Sequence, residues 1–575
     1  MDYKHNYNKW LKSSAVDEAT KAELEAIDGN EPEIEARFSS MLDFGTAGLR
    51  GIMRAGLNGM NIYTVRYATQ GLANMILQCG ENYGGGVSIA YDSRINSPEF
   101  AREAACVLAA NGIRVHLFDE LRPTPELSFA LRENASIAGI NITASHNTKE
   151  YNGYKVYWAD GAQLPPEHAA EVSAQLAKFD IFDDVKTMPF EEAAAQGLIS
   201  MMGSDMDEEY MAKVLEQSVG QHFVREVADS FAVIYTPFHG AGYRIVPEVL
   251  RRIGIKNLIP VEEQMIPDGN FPTVKSPNPE YVEGFEIAVG MAGENDVDLI
   301  IGTDPDCDRC GIVVKNGDSY ETLTGNQLGV LLLDYLINTR RSEGTLAADS
   351  AVVKSIVTTP MANKICADNG VAIFETLTGF KYIGEKIKNF EENGDHTFLF
   401  GFEESNGYLA GTYARDKDAV IASMLTAEMA CYYKTKGMNV YEAMQDLYSR
   451  YGCFREKVVS HVIEGFGAQD KMAAIMAGLR DEPPAEISGI PVTCIRDYGS
   501  GFIVQVGSAD QAKEMTGFPK SNVLFYDLAD GSSVAIRPSG TEPKVKLYIM
   551  AYADDAAEAD RRLSLLSEGA VGLLK

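Results

Sequence analysis

The sequence predicts an α/β protein made of three related α/β domains with mixed or parallel sheets, followed by a smaller C-terminal α+β domain. Three observations lead to this class. Short apolar runs rich in Val and Ile end abruptly in polar loops that contain Gly or Pro. Helix-like stretches lie between these runs. The runs at 87–91, 231–235 and 351–357 each open a new alternation of strand and helix, which indicates three similar domains.

The predicted buried strands, in chain order, are Val87–Tyr91, Ile137–Thr143, Phe231–Tyr235, Val297–Gly302, Ala351–Val357 and Thr397–Phe400. The predicted helices are Ser97–Asn111, Pro247–Ile253, Gly325–Asn338 and Met361–Asn369. Residues 181–220 are acidic and rich in Met and Ala, which favours helical connecting material. Residues 482–490 are predicted to form a surface loop, and residues 554–574 a closing helix. The predicted domains are residues 1–215, 216–318, 319–445 and 446–575.

The composition is that of a folded globular protein, with 575 residues and 45% hydrophobic side chains. The 51 Lys and Arg against 82 Asp and Glu give a formal charge of -31, which argues against nucleic acid or an anionic membrane as a partner. A phosphate site in such a chain must be a local concentration of basic side chains and backbone N–H groups. Because no apolar run reaches roughly 18 residues and the first ten residues are polar, a cytoplasmic protein is expected.

The eight cysteines are scattered along the chain, except for the CxxC formed by Cys307 and Cys310. A CxxC can be half of a zinc site or a redox pair. Since the chain has no second Cys pair, small packing residues in a loop are the favoured interpretation.

A polar loop follows the predicted strand Ile137–Thr143 and contains Ser145, flanked by His146 and Asn147. A serine in this position is well placed to act as a nucleophile. A serine that forms a turn at the end of a strand is the other interpretation, and this loop by itself does not decide between them.

Asp304, Asp306 and Asp308 follow the predicted strand Val297–Gly302 at alternate positions. In an extended loop the alternation places the three carboxylates on one side, and their repulsion then requires a cation. Hard oxygen ligands without His indicate Mg²⁺. Calcium binding of the EF-hand type is excluded, because Arg309 stands where that loop requires Gly. A solvated acidic turn remains the alternative.

Three weaker signals are polar loops later in the chain. Glu403 and Ser405 lie in a Gly-bounded loop and suit sugar hydroxyls. Lys417, in the stretch Arg415–Asp418, could bind a phosphate or transfer a proton, or the stretch is a surface ion-pair cluster. The third loop, with Arg537 before a Gly turn and two Lys after it, forms either a phosphate-binding nest or an exposed hairpin.

Taken together and in this order, these loops resemble the motifs of the α-D-phosphohexomutase family, over nearly the whole chain. The motifs are Phe44–Gly51, Thr143–Asn147, Tyr151–Lys155, Asp304–Arg309, Glu403–Ser405 and Arg537–Thr541. The chain departs from the family at Ala47, where many relatives have Ser, at Phe402, and at the two Cys of the Asp loop. None of these changes removes a functional group.

The resemblance implies that the four domains surround a central active-site cleft, which receives one loop from each. It implies catalytic roles for Ser145 (the phosphoserine), Arg50, His146, Lys155 and Lys417. It implies that Mg²⁺ is bound by Ser145, Asp304, Asp306 and Asp308. The implied substrate-binding residues are Arg309, Thr378, Gly379, Glu403, Ser405, Arg415, Arg537, Ser539, Gly540, Thr541 and Lys546.

The implied reaction is an intramolecular phosphotransfer that interconverts glucose 1-phosphate and glucose 6-phosphate through glucose 1,6-bisphosphate, which is also the activator. Mannose and pentose phosphates remain alternative substrates. The general base is open among Lys417, Lys155 and His146. A non-catalytic sugar-phosphate binding protein would need only the Arg537 loop. A serine hydrolase would need a triad histidine, and none of the eight His lies in a loop that suggests one.

Overall fold

The computed structural model describes residues 2–45, 48–79, 84–463, 467–507, 513–515, 517–539 and 544–574. The chain divides into two compact units. The first unit comprises residues 1–323, 383–394 and 406–439. The second unit comprises residues 324–382, 395–405 and 440–575.

The first unit opens with the helices Tyr3–Lys12, Glu18–Glu25 and Glu31–Phe38. Trp10 lies at the centre of their aromatic cluster, with ring centroids 5.8 Å from Phe38 and 5.2 Å from Tyr63. Because Tyr63 belongs to the helix Ile62–Gln78, these edge-to-face contacts join the opening helices to the first sheet's domain.

The first sheet contains six strands, in the spatial order Leu49–Ile52, Tyr151–Trp158, Ala138–Ile142, Val87–Tyr91, Val115–Phe118 and Ile199–Met202. The last four strands are parallel and the first two are antiparallel to their neighbours. The helices of this domain are Ile62–Gln78, Ser97–Ala110, Thr124–Glu133, Pro166–Leu176, Phe190–Ala195 and Ser204–Leu215. The sheet centre is apolar, as the runs at 87–91 and 137–143 predicted.

The prediction that residues 181–220 are only helical connecting material is wrong at Ile199–Met202. This segment is an edge strand, parallel to Val115–Phe118. Its Met-rich composition carries no strand signal, but the open edge of the neighbouring strand supplies hydrogen-bond partners to its backbone.

The second sheet contains five strands, in the spatial order Ser319–Leu323, Cys310–Asn316, Leu299–Thr303, Ala232–Thr236 and Asn257–Pro260. Its domain also contains the helices Gln221–Val227, Gly242–Arg252 and Glu286–Asn295 and a 3₁₀ helix at Val282–Phe285. The strand Gly407–Leu409 and the buried helix Ala419–Thr435 complete the first unit. The helix that the sequence placed at 247–253 begins earlier, at Gly242, with Pro247 inside it.

In the second unit, a parallel sheet contains Ala372–Thr376, Ser350–Ser355 and Thr397–Glu403, in that spatial order. The helices Gly325–Ser342, Met361–Asn369 and Val440–Tyr451 belong to this unit. A further helix, Phe380–Asn393, begins in this unit, and its residues from 383 onward belong to the first unit. These elements match the predicted strands at 351–357 and 397–400 and the predicted helices at 325–338 and 361–369.

The last part of the second unit is an antiparallel sheet with two helices. Its strands, in spatial order, are Cys453–Val462, Lys544–Ala553, Ser533–Pro538, Leu524–Leu528, Ile490–Asp497, Phe502–Gln505 and Lys513–Glu514, and Glu486–Ile487 pairs with Ile490–Asp497. The predicted surface loop at 482–490 therefore includes a short hairpin, which turns at Ser488 and Gly489 with positive φ. The helices are Ala468–Asp481 and Ala556–Gly572, and the second matches the predicted closing helix. None of the helices in the described part of the chain is both long enough and apolar enough to span a bilayer.

Candidate active site

Ser145 lies in the loop after the strand Ala138–Ile142 and is 3% exposed. Its φ is +53°, in the left-handed region that is unusual for a residue with a side chain. In this conformation Ser145 Oγ lies 3.0 Å from Asp304 Oδ2 and 3.1 Å from His146 Nδ1. Strained backbone of this kind is found at functional sites, so the turn itself presents the hydroxyl to the Asp loop.

The Asp loop follows the strand Leu299–Thr303 and is fixed by its own backbone. Asp304 Oδ1 accepts hydrogen bonds from the backbone N–H groups of Asp308 and Arg309, both at 3.0 Å. Cys307, which has a φ of +53°, turns the chain between Asp304 and Asp308. The folded loop thus leaves Asp304 Oδ2 free to accept the hydrogen bond from Ser145 Oγ.

Two lysines lie against the other two carboxylates. Lys155 Nζ lies 2.6 Å from Asp306 Oδ2 and 3.1 Å from Asp308 Oδ2. Lys417 Nζ lies 3.0 Å from the same oxygen of Asp308. All of these side chains are buried. The sequence placed both lysines among the catalytic candidates, and the structure brings them into direct contact with the Asp loop.

The electrostatics of the cluster follow from burial and from these neighbours. Burial, with Asp306 and Asp308 adding to it, raises the pKa of Asp304 well above its ordinary value. Burial also disfavours the charged form of Asp308, but Lys155 and Lys417 hold its pKa below the ordinary value. For Lys155, burial opposes the charge, yet the two carboxylates raise its pKa, so Lys155 is an ammonium at neutral pH.

The three carboxylates fit a divalent cation. One oxygen from each of Asp304, Asp306 and Asp308 lies within 4.8 Å of the others, and all three residues are buried. Within the described part of the chain, Asp306 Oδ1 and Asp308 Oδ1 have no hydrogen-bond partner. Because buried carboxylate oxygens require a partner, and because these are hard oxygen ligands, the cluster can bind Mg²⁺. The alternative of a solvated acidic turn is wrong.

Three other candidates, Arg50, His146 and Arg309, lie in or beside the Ser145 loop or the Asp loop. Arg50 Nη1 donates to Asn147 Oδ1 at 3.1 Å. Arg309 Nη1 donates to Glu280 Oε1 at 2.9 Å. Burial and the neighbouring Arg309 lower the pKa of His146 well below its ordinary value. His146 is therefore a neutral imidazole at neutral pH.

The Arg415 guanidinium forms hydrogen bonds within the first unit. Its Nη1 donates to the carbonyl of Thr412 at 2.8 Å, and its Nη2 donates to Glu391. Its neighbour Asp416 accepts a hydrogen bond from Tyr157 at 2.9 Å, which anchors the loop that contains Lys417.

Three residues of the first unit that contact the Ser145 loop or the Asp loop are absent from the sequence prediction. Arg94 and Asp92 lie under the Ser145 loop, and Thr124 donates to Asp306 Oδ2 at 2.8 Å. A signal for the first pair was available, because Asp92 and Arg94 directly follow the predicted strand Val87–Tyr91, where ligand loops are expected.

The second unit contains the other predicted loops. Glu403, at the end of the strand Thr397–Glu403, is buried, while Ser405, Thr378 and Gly379 are half-buried. Glu404, adjacent to Glu403, accepts hydrogen bonds from Ser355 at 3.0 Å and Thr358 at 3.4 Å.

The Arg537 loop connects two paired strands of the C-terminal sheet. Arg537 is directly opposite Lys546 in the register of these strands, and the Ser539 N–H donates to the Lys544 carbonyl at 2.8 Å. Burial, with Glu404 adding to it, raises the pKa of Tyr548 to about 12, although the nearby Arg537 opposes the shift. The two strands form a hairpin, and the role of Arg537 and Lys546 in phosphate binding stays a prediction. Gly540 and Thr541 lie outside the described residues.

The two cysteines of the Asp loop are fully buried and form no disulfide. Burial raises the pKa of Cys310 to about 12, and its Sγ lies 3.8 Å from Ser423 Oγ. Thiols that are both buried and protonated are packing residues, as favoured from the sequence.

Comparison with known proteins shows which sequences share these segments. Family models match four consecutive segments: the phosphoglucomutase/phosphomannomutase α/β/α domains I, II and III over residues 41–180, 208–317 and 324–451, and the C-terminal domain over 503–565. The phosphoglucomutase of Staphylococcus epidermidis is 36% identical over 551 residues, which are 95% of this chain and 97% of that protein. The chain belongs to the α-D-phosphohexomutase family.

Other known α-D-phosphohexomutases agree with this placement. The phosphoglucomutase of Staphylococcus aureus is 36% identical over 90% of this chain and 91% of its own length. Two solved structures share the fold with a TM-score of 0.67. They are a phosphoglucomutase/phosphomannomutase family protein of Burkholderia thailandensis (16% identity, covering 93% of this chain and 97% of that one) and parafusin of Paramecium (17%, 94% and 95%).

Membership of the α-D-phosphohexomutase family confirms the resemblance and the fold class that the sequence predicted. It also makes the chain an isomerase-type intramolecular phosphotransferase. The domain boundaries after residues 215, 318 and 445 and the roles of individual site residues stay predictions.

Proposed function

We propose that this α-D-phosphohexomutase is a phosphoglucomutase, which interconverts glucose 1-phosphate and glucose 6-phosphate through a phosphoserine at Ser145. The observation that supports this most is the 3.0 Å contact between Ser145 Oγ and Asp304 Oδ2. Asp306 Oδ1 and Asp308 Oδ1, which belong to the same cluster, have no hydrogen-bond partner among the described residues. The relatives that match over most of the chain are named phosphoglucomutases, which favours glucose phosphate as the substrate.

In the proposed cycle, the P–O bond of phosphorylated Ser145 breaks and a new P–O bond forms to the free hydroxyl of the sugar phosphate. The hydroxyl proton passes to a base, and glucose 1,6-bisphosphate results. The second half returns the other phosphoryl group to Ser145 by the same bond exchange. The product leaves with its phosphate on the other carbon.

The residues of the first unit suit the charges of this exchange. Asp304, Asp306 and Asp308 would hold Mg²⁺, with phosphorylated Ser145 as a further ligand. When bound, the ion supplies a fixed positive charge that stabilises the transferring phosphoryl group. Lys155 and Lys417 place two ammonium groups against the same carboxylates. Phosphoryl transfer depends on such charge neutralisation and on in-line positioning more than on covalent help.

We assign the base to His146 rather than to Lys155 or Lys417, because its ring nitrogen Nδ1 lies 3.1 Å from Ser145 Oγ. Lys155 contacts two carboxylates, at 2.6 and 3.1 Å, and Lys417 contacts Asp308 at 3.0 Å and Asp416 at 3.5 Å, so the role of both lysines is that of a fixed cation. We further propose that Arg50 and Arg309 contact the transferring phosphoryl group. Arg415, Glu403, Ser405, Thr378 and Gly379 would contact the sugar, and Arg537, Ser539, Gly540, Thr541 and Lys546 its other phosphate.

A coupled assay tests the proposal. The substrates are glucose, mannose, glucosamine and ribose 1-phosphates with Mg²⁺ and a trace of the matching bisphosphate. We expect the highest kcat/KM with glucose 1-phosphate, and loss of turnover in Ser145→Ala. The matched control is Ser200→Ala, which removes an exposed serine hydroxyl from the edge strand of the same sheet.

Turnover that persists in Ser145→Ala would disprove the phosphoserine mechanism. A higher kcat/KM with mannose or ribose 1-phosphate would keep the mechanism and correct the substrate. Binding of sugar phosphate without turnover in the wild type would support the non-catalytic alternative.

A further inference from the structure

One arginine lies beneath the whole Ser145 loop. Arg94 is 1% exposed, and its planar guanidinium contacts four backbone carbonyls of the loop. Nη1 donates to the carbonyls of Thr148 at 2.9 Å and Tyr151 at 3.0 Å. Nη2 donates to the carbonyl of Ser145 at 2.6 Å and to that of Asn147. Only arginine offers several N–H donors in one rigid plane, so a single side chain sets the course of this loop.

Asp92 connects Arg94 to the other side of Ser145. Its Oδ2 lies 3.3 Å from Arg94 Nε and accepts a hydrogen bond from Thr143 Oγ1 at 2.6 Å. Thr143 Oγ1 in turn accepts from the Ser145 N–H at 2.8 Å. Arg94 therefore binds the Ser145 carbonyl directly. The Ser145 N–H donates to Thr143, and Thr143 donates to Asp92, which forms the ion pair with Arg94. These contacts fix a φ of +53° that a free serine rarely adopts.

A loop of the second sheet's domain packs against Arg94 and helps to bury this ion pair. The Phe271 ring centroid lies 5.1 Å from the Arg94 guanidinium carbon, a cation–π contact. Phe271 has a φ of +47°, which directs its ring inward. Two residues earlier, Gly269 packs so closely that a Cβ there would lie 2.3 Å from the Ile95 nitrogen. The domain that contains the Asp loop thus packs directly against Arg94, the residue that holds the Ser145 loop.

We infer that Arg94 is a positioning residue for phosphoryl transfer: through four loop carbonyls and Phe271, it sets Ser145 Oγ against Asp304. The inference rests on the proposed function. Ser145 and Asp304 follow strands of different sheets, yet their side chains meet at 3.0 Å. In-line transfer requires this distance to be fixed, and a displacement of about 1 Å in a reacting group can cost about 100-fold in rate.

The first test compares Arg94→Lys with Arg122→Lys. Arg122 is a matched control, since it is an equally buried arginine of the same domain that binds Asp207 at 2.6 Å instead. We expect Arg94→Lys to lower kcat about 100-fold while the KM for glucose 1-phosphate stays within about threefold, because ground-state binding is retained. Arg122→Lys should keep the wild-type kcat, even if its Tm falls.

The second measurement does not depend on turnover. Amide hydrogen exchange of residues 143–151 should accelerate in Arg94→Lys and stay at the wild-type rate in Arg122→Lys. A wild type without mutase activity would contradict the proposed function, while the exchange rates would still decide whether Arg94 orders the loop. Equal kcat in the two lysine variants, or unchanged exchange in Arg94→Lys, would overturn the inference.

Two further variants alter the packing of the second sheet's domain against Arg94. They test the inference if Arg94→Lys does not fold. Gly269→Ala should push the covering loop away from Ile95, and Phe271→Leu should remove the cation–π contact while keeping an apolar side chain. We expect both to lower kcat and to leave the KM within about threefold. Addition of guanidinium ion to Arg94→Ala should restore part of the kcat and none in Ser145→Ala. Wild-type kcat in both loop variants would overturn the part of the inference that concerns Phe271.

Discussion

At the scale of single residues, Lys155 forms a buried ion-pair cluster with the Asp loop. Its ammonium contacts one oxygen of Asp306 and one of Asp308, and all three side chains are buried. An ion pair of this kind adds little net stability compared with an apolar core, but removal of one partner leaves buried charge without compensation.

We predict that Lys155→Met destabilises the metal-free protein by about 3 to 5 kcal/mol, because Asp306 and Asp308 lose a buried cation. Urea unfolding in EDTA measures this change. Mg²⁺ should recover a larger part of the stability in the variant than in the wild type, since the bound cation replaces the missing charge.

The matched control is Lys388→Met, which removes a half-exposed lysine 3.9 Å from Asp160. Exposed pairs contribute about 1 kcal/mol or less. If the two variants lost equal stability in EDTA, the role of Lys155 as the resident cation of the Asp cluster would be refuted.

At the scale of elements, two loops that follow parallel-sheet strands form the site. Each uses one residue with a side chain in the left-handed region, Ser145 and Cys307, both with a φ of +53°. In the Ser145 loop the Ser145 N–H donates to Thr143 Oγ1, and in the Asp loop two backbone N–H groups donate to Asp304 Oδ1. These local hydrogen bonds, together with Arg94 beneath the Ser145 loop, shape the two loops, and the preceding strands set where they lie.

The opening helices show how a capping residue links two elements. Asp17 caps the helix Glu18–Glu25 by accepting from the Thr20 N–H at 2.8 Å, and it also accepts from Tyr63 Oη at 2.7 Å. Partial burial opposes the charge, but the hydrogen bonds from Thr20 and Tyr63 lower the pKa of Asp17 to about 2.

We predict that Asp17→Ala lowers the free energy of unfolding by about 1 kcal/mol at neutral pH, the usual cost of a lost N-cap. The folded pKa lies below the ordinary value of 3.8, so the stabilisation is complete above about pH 4 and disappears as the pH falls through 2. Thermal unfolding of both proteins between pH 7 and 2.5 measures the difference.

Asp28→Ala is the control, because Asp28 is an exposed acid near the same helix that caps nothing among the described residues. Its difference from the wild type at neutral pH should be small. A difference for Asp17→Ala that grows as the pH falls would have the wrong sign and would reject the capping account.

At the scale of the whole molecule, the negative net charge of the chain and the buried Asp cluster both influence the binding of charged ligands. The net charge of -31 repels an anionic substrate at long range, so the binding of phosphate depends on buried local cations. Within the first unit these include Lys155 and Lys417. A divalent ion bound by the native Asp cluster would stabilise the folded state as a whole.

We predict that Mg²⁺ raises the Tm of EDTA-treated protein and that Asp304→Asn removes most of this effect. Native-state binding stabilises by about 2.7 kcal/mol when the free ion is at 100 times its Kd. Differential scanning fluorimetry over a Mg²⁺ titration measures the shift, and the same titration should restore activity lost in EDTA.

Asp318→Asn serves as the control, because it removes an exposed carboxylate from the same domain and should keep the full Mg²⁺ response. The metal assignment would fail if Mg²⁺ left the wild-type Tm unchanged, or if Asp304→Asn responded as strongly as the wild type.

Much of the architecture and the Asp cluster could be predicted from the sequence. The strand Val87–Tyr91 has the predicted bounds, and the alternating spacing of Asp304, Asp306 and Asp308 brought their carboxylates together as expected. These features depend on residues that are neighbours in the chain, whose side-chain directions follow from the local backbone. The edge strand Ile199–Met202 could not be predicted, because its own residues carry no strand pattern. It forms because the neighbouring strand Val115–Phe118 offers hydrogen-bond partners.

Only the tertiary structure decided which distant residues meet. Ser145 and Asp304 are separated by 159 positions, and their contact at 3.0 Å arises because each follows a strand of a different sheet. The same packing places Lys155 and Lys417 on one carboxylate and Arg94 beneath the Ser145 loop. The sequence by itself determined the chemical groups and the loops that contain them, because these are local properties. Their distances, burial and charge states follow from how the sheets pack, which no local pattern encodes.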